Sequence, residues 1–158
     1  MTPTSVFLLA FLIGGVCGLR SMTAPAAVCW GAHLGWLQLD GSKLGFLHNP
    51  ISLVFFTLFA LGEMAVDKLP KTPNRTAPGP LAVRIIFGAF CGAALCAAAG
   101  LGILPGIILG AFGGIAGTFG GYHVRRWLTV GRGLPDIVIA LLEDAIAIGG
   151  GLLIVSRF

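Results

Sequence analysis

Five of the six acidic residues in this chain fall in or directly beside apolar stretches, where carboxylates are rare. Glu63 lies in the apolar run 51–66 and Asp67 one helical turn later, so the two share a helix face. Asp136, Glu143 and Asp144 belong to the run 135–155, in which Asp136, Ala140, Glu143, Ala147 and Gly151 recur at helical spacing. An ionised side chain at the centre of a bilayer costs about 2.5–3.5 kcal/mol on insertion scales. Such groups need a counter-charge, a proton or water. Three chemistries meet that need. Buried carboxylates can exchange protons for cations, which makes Glu63, Asp67, Glu143 and Asp144 candidates for an ion- or proton-binding site. Ion pairing is the second: Arg20, Arg125 and Arg126 close apolar runs on the same side and are placed to reach Glu63, Asp67 or Glu143. The third is an anionic ligand, a phosphate or a lipid head group. The segments GLRSMTAP (18–25) and DKLPKTPNRT (67–76) set Arg20, Ser21, Thr23, Lys68 and Arg75 beside prolines, a stiff array of donors suited to oxyanions, with Arg125 and Arg126 near by.

The elements that must hold these residues are membrane helices. Of 158 residues, 56% are hydrophobic and only 10% charged, with a mean hydropathy of +0.96. A soluble domain has about a quarter of its residues charged. The composition therefore describes an all-α integral membrane protein. Apolar stretches cover residues 5–19, 24–39, 51–66, 81–101, 104–122 and 135–155, and roughly 20 helical residues cross about 30 Å of hydrocarbon. Six transmembrane helices are expected. The second, which carries Trp30, His33 and Trp36, is the least span-like. The first lacks the basic flank of a signal peptide and runs directly into Arg20, so it reads as a retained helix.

Lysine and arginine set the orientation. With six spans, Arg20, Lys68, Lys71, Arg75, Arg84, Arg125, Arg126 and Arg132 share one side, and only Lys43 and Arg157 the other. Eight against two puts the first group in the cytoplasm and both termini outside it, with a bacterial inner membrane as the expected location. The net charge of +4 marks that face and its affinity for anionic lipid rather than nucleic acid. Asn74-Arg75-Thr76 spells a glycosylation sequon, a chance match on a cytoplasmic loop.

The chain also repeats itself. ALGEMAV (60–66) resembles ALLEDAI (140–146), aligning Glu63 with Glu143. The same offset aligns Pro25 with Pro105, and a slightly smaller one sets GGVCG (14–18) against GAFCG (88–92). Each copy is a glycine-rich helix, a proline-led helix and a glutamate helix. Three spans per copy make the second insert upside down. The expected fold is two inverted three-helix repeats, residues 1–76 and 77–158, with the acids of both near the midplane as in many secondary transporters. Glycine is abundant, at 25 residues. Gly106, Gly110 and Gly114 form one ladder at four-residue spacing and Gly113, Gly117 and Gly121 another, a pattern that lets helix backbones approach within the protomer or at the seam of a homodimer. Cys17, Cys29, Cys91 and Cys96 all lie in apolar stretches without metal-ligand spacing and read as small packing residues. No H-E-x-x-H, G-x-S-x-G or phosphatase-like Arg/His set is present, so neither an enzyme nor a cofactor is expected.

Three motifs, GLRSMTAPA, E-x-x-x-DKLPKTPNRT and GGYHVRR followed by LLED, resemble a bacterial integral-membrane family catalogued as domain of unknown function 4126. That resemblance covers nearly the whole chain and implies a small polytopic protein without supplying an activity. A looser likeness is to cation/proton exchangers whose two repeats each carry E-x-G-D-K-S/T. Here the first copy reads E-M-A-V-D-K and the second, Glu143-Asp144, lacks the lysine. The expected function is a small transporter or channel for an ion or small solute, with proton coupling as an option. The alternative is a non-transporting structural or anionic-lipid- or phosphate-binding membrane protein.

Overall fold

In a computed structural model, which describes residues 1–67 and 75–158, the chain is all-helical, with no strand among the described residues. Six α-helices follow in order: α1 (Pro3–Leu19), α2 (Thr23–His33), α3 (Pro50–Val66), α4 (Pro78–Ala98), α5 (Ile103–Arg126) and α6 (Asp136–Val155), with a short 3-10 turn at Gly45–His48. Their starts follow from local chemistry. Pro3, Pro50 and Pro78 occupy first turns, where the missing N–H is no loss. The Asn49 side chain caps α3 by accepting from the Ile51 N–H at 2.9 Å.

Three helices, α4, α5 and α6, are long and apolar enough to cross a membrane. With 17 residues each, α1 and α3 sit at the short limit for a span. The second element departs most from expectation. At 11 residues α2 is about 16 Å long, and the remainder of the apolar run 24–39 is not helix. Gly35 takes a left-handed conformation (φ 78°) and the Trp36 N–H returns to the Gly31 carbonyl at 2.9 Å. This closes the helix as a glycine C-cap does. Leu37, Leu39 and Leu47 are then buried by the returning loop, so their apolarity reports a loop folded onto the bundle and not a longer helix.

The core follows the glycines. On α5 one ladder faces α4. A Cβ at Gly106 would strike the Gly92 carbonyl, one at Gly110 would strike that of Gly88, and one at Gly114 would lie 2.8 Å from that of Arg84. The other ladder faces α1, with Gly113 against the Phe11 carbonyl and Gly117 against that of Gly15; Gly121 meets the Leu19 side chain. Helices α1, α4 and α5 thus touch backbone to backbone, the close approach that replaces a hydrophobic drive in lipid. This closest packing crosses the boundary between residues 1–76 and 77–158. Around the trio, α2 is buried on nearly every side and packs against both α3 and α6. Outward faces are apolar, as at Ile51 (77% exposed) and Leu58 (62%). All four cysteines are buried and free.

Candidate functional site

The ends of α1, α3 and α5 and the starts of α2, α4 and α6 meet at one end of the bundle, and the charges are there. Arg20 follows α1 directly and its side chain is fully enclosed. Its Nε donates to Asp144 Oδ1 on α6 at 2.6 Å, and one terminal nitrogen donates to Asp67 Oδ2 just after α3. One guanidinium thereby links three helices. Arg75 grips Glu143 with two hydrogen bonds of 3.0 and 2.8 Å. Arg125, near the end of α5, adds a third to Glu143 at 3.1 Å and holds the exposed Asp136 with two more, of 2.8 and 2.6 Å. Paired guanidinium–carboxylate contacts of this kind are the strong ones.

Glu63 is bound differently. Its Oε1 accepts the Ser21 N–H at 2.8 Å and the Ser21 hydroxyl, and its Oε2 accepts the Met22 N–H at 2.8 Å. Ser21 and Met22 immediately precede α2, so this carboxylate sits on the positive end of a buried helix, where unsatisfied amides and the helix dipole both favour an anion. Arg84, seven residues into α4, completes the surroundings. One terminal nitrogen donates to the Arg75 carbonyl at 3.1 Å, and the other lies 3.9 Å from Glu63 Oε1 and 4.0 Å from Asp67 Oδ2. Three buried donors at this end have no partner among the described residues: Arg20 Nη2, Arg84 Nε and the Thr23 hydroxyl.

An apolar groove of about 170 Å³ begins at Thr23. Thr23, Ala26, Ala27 and Trp30 of α2 form one wall, with Leu61 and Met64 of α3 and Ile148 of α6 on its flanks. It runs along α2 from Thr23 toward Trp30, whose indole N–H donates to Thr57 at 3.3 Å.

Set against expectation, Glu63 and Asp67 do share a helix face, and Ala140, Glu143, Ala147 and Gly151 are buried along one stripe of α6. Two expectations need correction. The acids do not meet midway along the helices: Glu63 is three residues from the end of α3 and Glu143 seven into α6, both at the arginine-rich end. Between the two acidic helices, α2 lies against both α3 and α6, and Arg20 at the end of α1 joins Asp67 to Asp144. Arg20 pairs with Asp67 and Asp144, not with Glu63. Arg126 is exposed and makes no ion pair among the described residues. Lys68 and Asn74 lie outside the described residues. The residue that sequence reasoning missed is Arg84. Counted as a loop cation, it is buried inside α4 because that helix begins at Pro78, three residues before the apolar run. A lone arginine inside an apolar run was the available signal.

No curated protein and no solved structure matches the chain. The family model described as Domain of unknown function (DUF4126) matches residues 7–156. That span holds every charged residue of the cluster and parts of all six helices, and the chain belongs to the DUF4126 family.

Proposed function

We propose that this protein is a small transporter or channel for an ion or small solute in a bacterial inner membrane, with Glu63 as its proton- or ion-exchanging acid. The observation that carries this reading is the Glu63 carboxylate seated on the N-terminus of the half-length, buried helix α2. Interrupted or short helices whose N-termini point into the protein form the ion and substrate sites of many secondary transporters. Three neutral donors hold Glu63, and the facing charges are Arg84, Arg20 and Asp67. A proton on Glu63 removes an acceptor and adds a donor among donors, which loosens its hold on α2. Glu143 is instead held by two guanidinium groups, those of Arg75 and Arg125.

The two glutamates therefore part company under substitution. Glu63→Gln keeps the size-exclusion profile of the parent and loses proton-coupled flux in liposomes, because an amide cannot take up and release a proton. Glu143→Gln weakens two buried pairings at once and lowers stability. A well-folded Glu63→Gln with unaltered flux overturns the reading.

The six-span inverted-repeat plan belongs to the same proposal, with the Glu63–Glu143 alignment as its support. It sets both termini outside the cytoplasm, so a reporter fused after Phe158 works only in a non-cytoplasmic form. Activity of a cytoplasm-only reporter there rejects the topology. A homodimer would use the apolar outer faces of α3 or α6, since the glycine ladders are taken up within one chain. A second reading, a non-transporting structural or anionic-lipid- or phosphate-binding protein, is favoured by the Arg20 and Arg75 pairings, which join three of the helices and the segment that precedes α4.

A further inference from the structure

We propose that the positive end of α2 and the groove beyond it form one binding site for a single-chain anionic amphiphile, whose carboxylate or phosphate head takes the place now held by the Glu63 carboxylate. This rests on the reading that Glu63 can leave α2, and it names the class of solute that replaces it.

The polar half is built for an oxyanion. Two successive backbone amides and a hydroxyl converge on one carboxylate, with Arg84 3.9 Å from the same oxygen. Helix N-termini bind carboxylate and phosphate alike through such amides. The donors exceed what Glu63 uses. Thr23, 4% exposed, is the first residue of α2 and lines the groove, yet its hydroxyl has no partner among the described residues. Arg84 Nε and Arg20 Nη2 are likewise buried and without a partner among the described residues. Unmade bonds from buried donors are costly; a phosphate head, with three acceptor oxygens, meets more of them than the two-oxygen Glu63 does, and a carboxylate head meets the same ones as Glu63.

The apolar half fixes the rest of the ligand. Ala26, Ala27, Trp30, Leu61 and Ile148 line an apolar groove, open along one side, that starts at Thr23. A free inorganic anion leaves that groove unused, and an uncharged lipid leaves the donors unused. A head of negative charge on a hydrocarbon tail complements both. The head lies at the arginine-rich end, where the head groups of the adjoining leaflet also lie.

Trp30 reports occupancy directly. A Trp36→Phe, Trp127→Phe background leaves Trp30 as the single tryptophan, studied in phosphatidylcholine nanodiscs. Brominated fatty acid or brominated alkyl phosphate should quench it saturably, above the linear background set by the brominated alcohol and the brominated alkyl amine at equal mole fraction. Glu63→Ala, which removes the internal competitor, should tighten that binding by roughly tenfold, the weight of a hydrogen bond to a charged group. Thr23→Val should weaken it several-fold without loss of thermal stability, since the hydroxyl it removes has no protein partner among the described residues; a merely structural threonine would lower stability and leave the affinity unchanged. Equal quenching by the amine or the alcohol overturns the proposal. So does unchanged affinity in both Glu63→Ala and Thr23→Val. Full displacement by millimolar acetate or inorganic phosphate assigns the site to a free anion and rejects the amphiphile. Proton flux is measured on the same preparations. Flux without amphiphile binding rejects only this inference, whereas binding without flux rejects only the transport reading.

Discussion

Replacing Arg20 with methionine lowers the melting temperature of the protein in detergent by roughly 10 °C, the equivalent of about 3–5 kcal/mol for a chain of this length. Arg20 is fully enclosed and donates to Asp67 and Asp144 from two of its nitrogens. Methionine keeps the length and the apolar stem but removes the shared cation from both carboxylates. Breaking one side of a buried pair is far more damaging than replacing both sides, because the remaining charge stays in a poor solvent. Neutralising the acids should therefore restore part of the loss: Arg20→Met combined with Asp67→Asn and Asp144→Asn should melt above Arg20→Met alone. Combining Arg20→Met with Glu63→Gln should bring no such rescue, since Glu63 takes its hydrogen bonds from Ser21 and Met22. Melting of Arg20→Met within a degree or two of the parent rules out the cluster as a stabilising element.

Gly110→Leu should fail to give a monodisperse, folded protein, and Gly110→Ala alone should melt lower than the parent. Gly110 stands where three helices cross. Its own Cβ would fall on the Gly88 carbonyl of α4, and a Cβ on Gly14 of α1 would fall on the Gly110 carbonyl. The obstacles are backbone atoms, so no side chain can swing aside and a whole helix must move. Overpacking a tight core costs about 1–3 kcal/mol and occasionally more, and here the moved helix also loses its contacts along the ladder. Gly120 of the same helix is the control. A Cβ there meets nothing, so Gly120→Ala should hold or raise the melting temperature, by up to about 1 kcal/mol of helix propensity. Equal melting temperatures for Gly110→Ala and Gly120→Ala contradict the backbone-contact account.

Several features were legible from residue types alone because they depend on local rules. Helix starts near Pro25 and Pro105, the sharing of one face by Glu63 and Asp67, and the two glycine ladders of α5 all follow from periodicity and the conformational limits of proline and glycine. Which helix each ladder meets was not legible: only the structure sets one against α4 and the other against α1. Periodicity misled where a loop is buried. Leu37 and Leu39 extend the apolar run of α2 in sequence, yet Gly35 turns the chain and the leucines pack as loop residues.

Sequence by itself determined the apolar, charge-poor character of this chain, its helices and the abnormal placement of its acids, since these rest on composition and short-range spacing. Tertiary structure decided which charge meets which. Arg20, Asp67 and Asp144 are distant in the chain and come together where α2 packs against both α3 and α6 and α1 packs against α6. Tertiary packing carries Arg84 from an apparent loop into the interior. It also separates two look-alike glutamates: Glu143 is locked between Arg75 and Arg125, whereas Glu63 rests on the amides that open α2. Coulomb and hydrogen-bond energies depend on distance and burial, and neither is encoded in the local spacing of a motif.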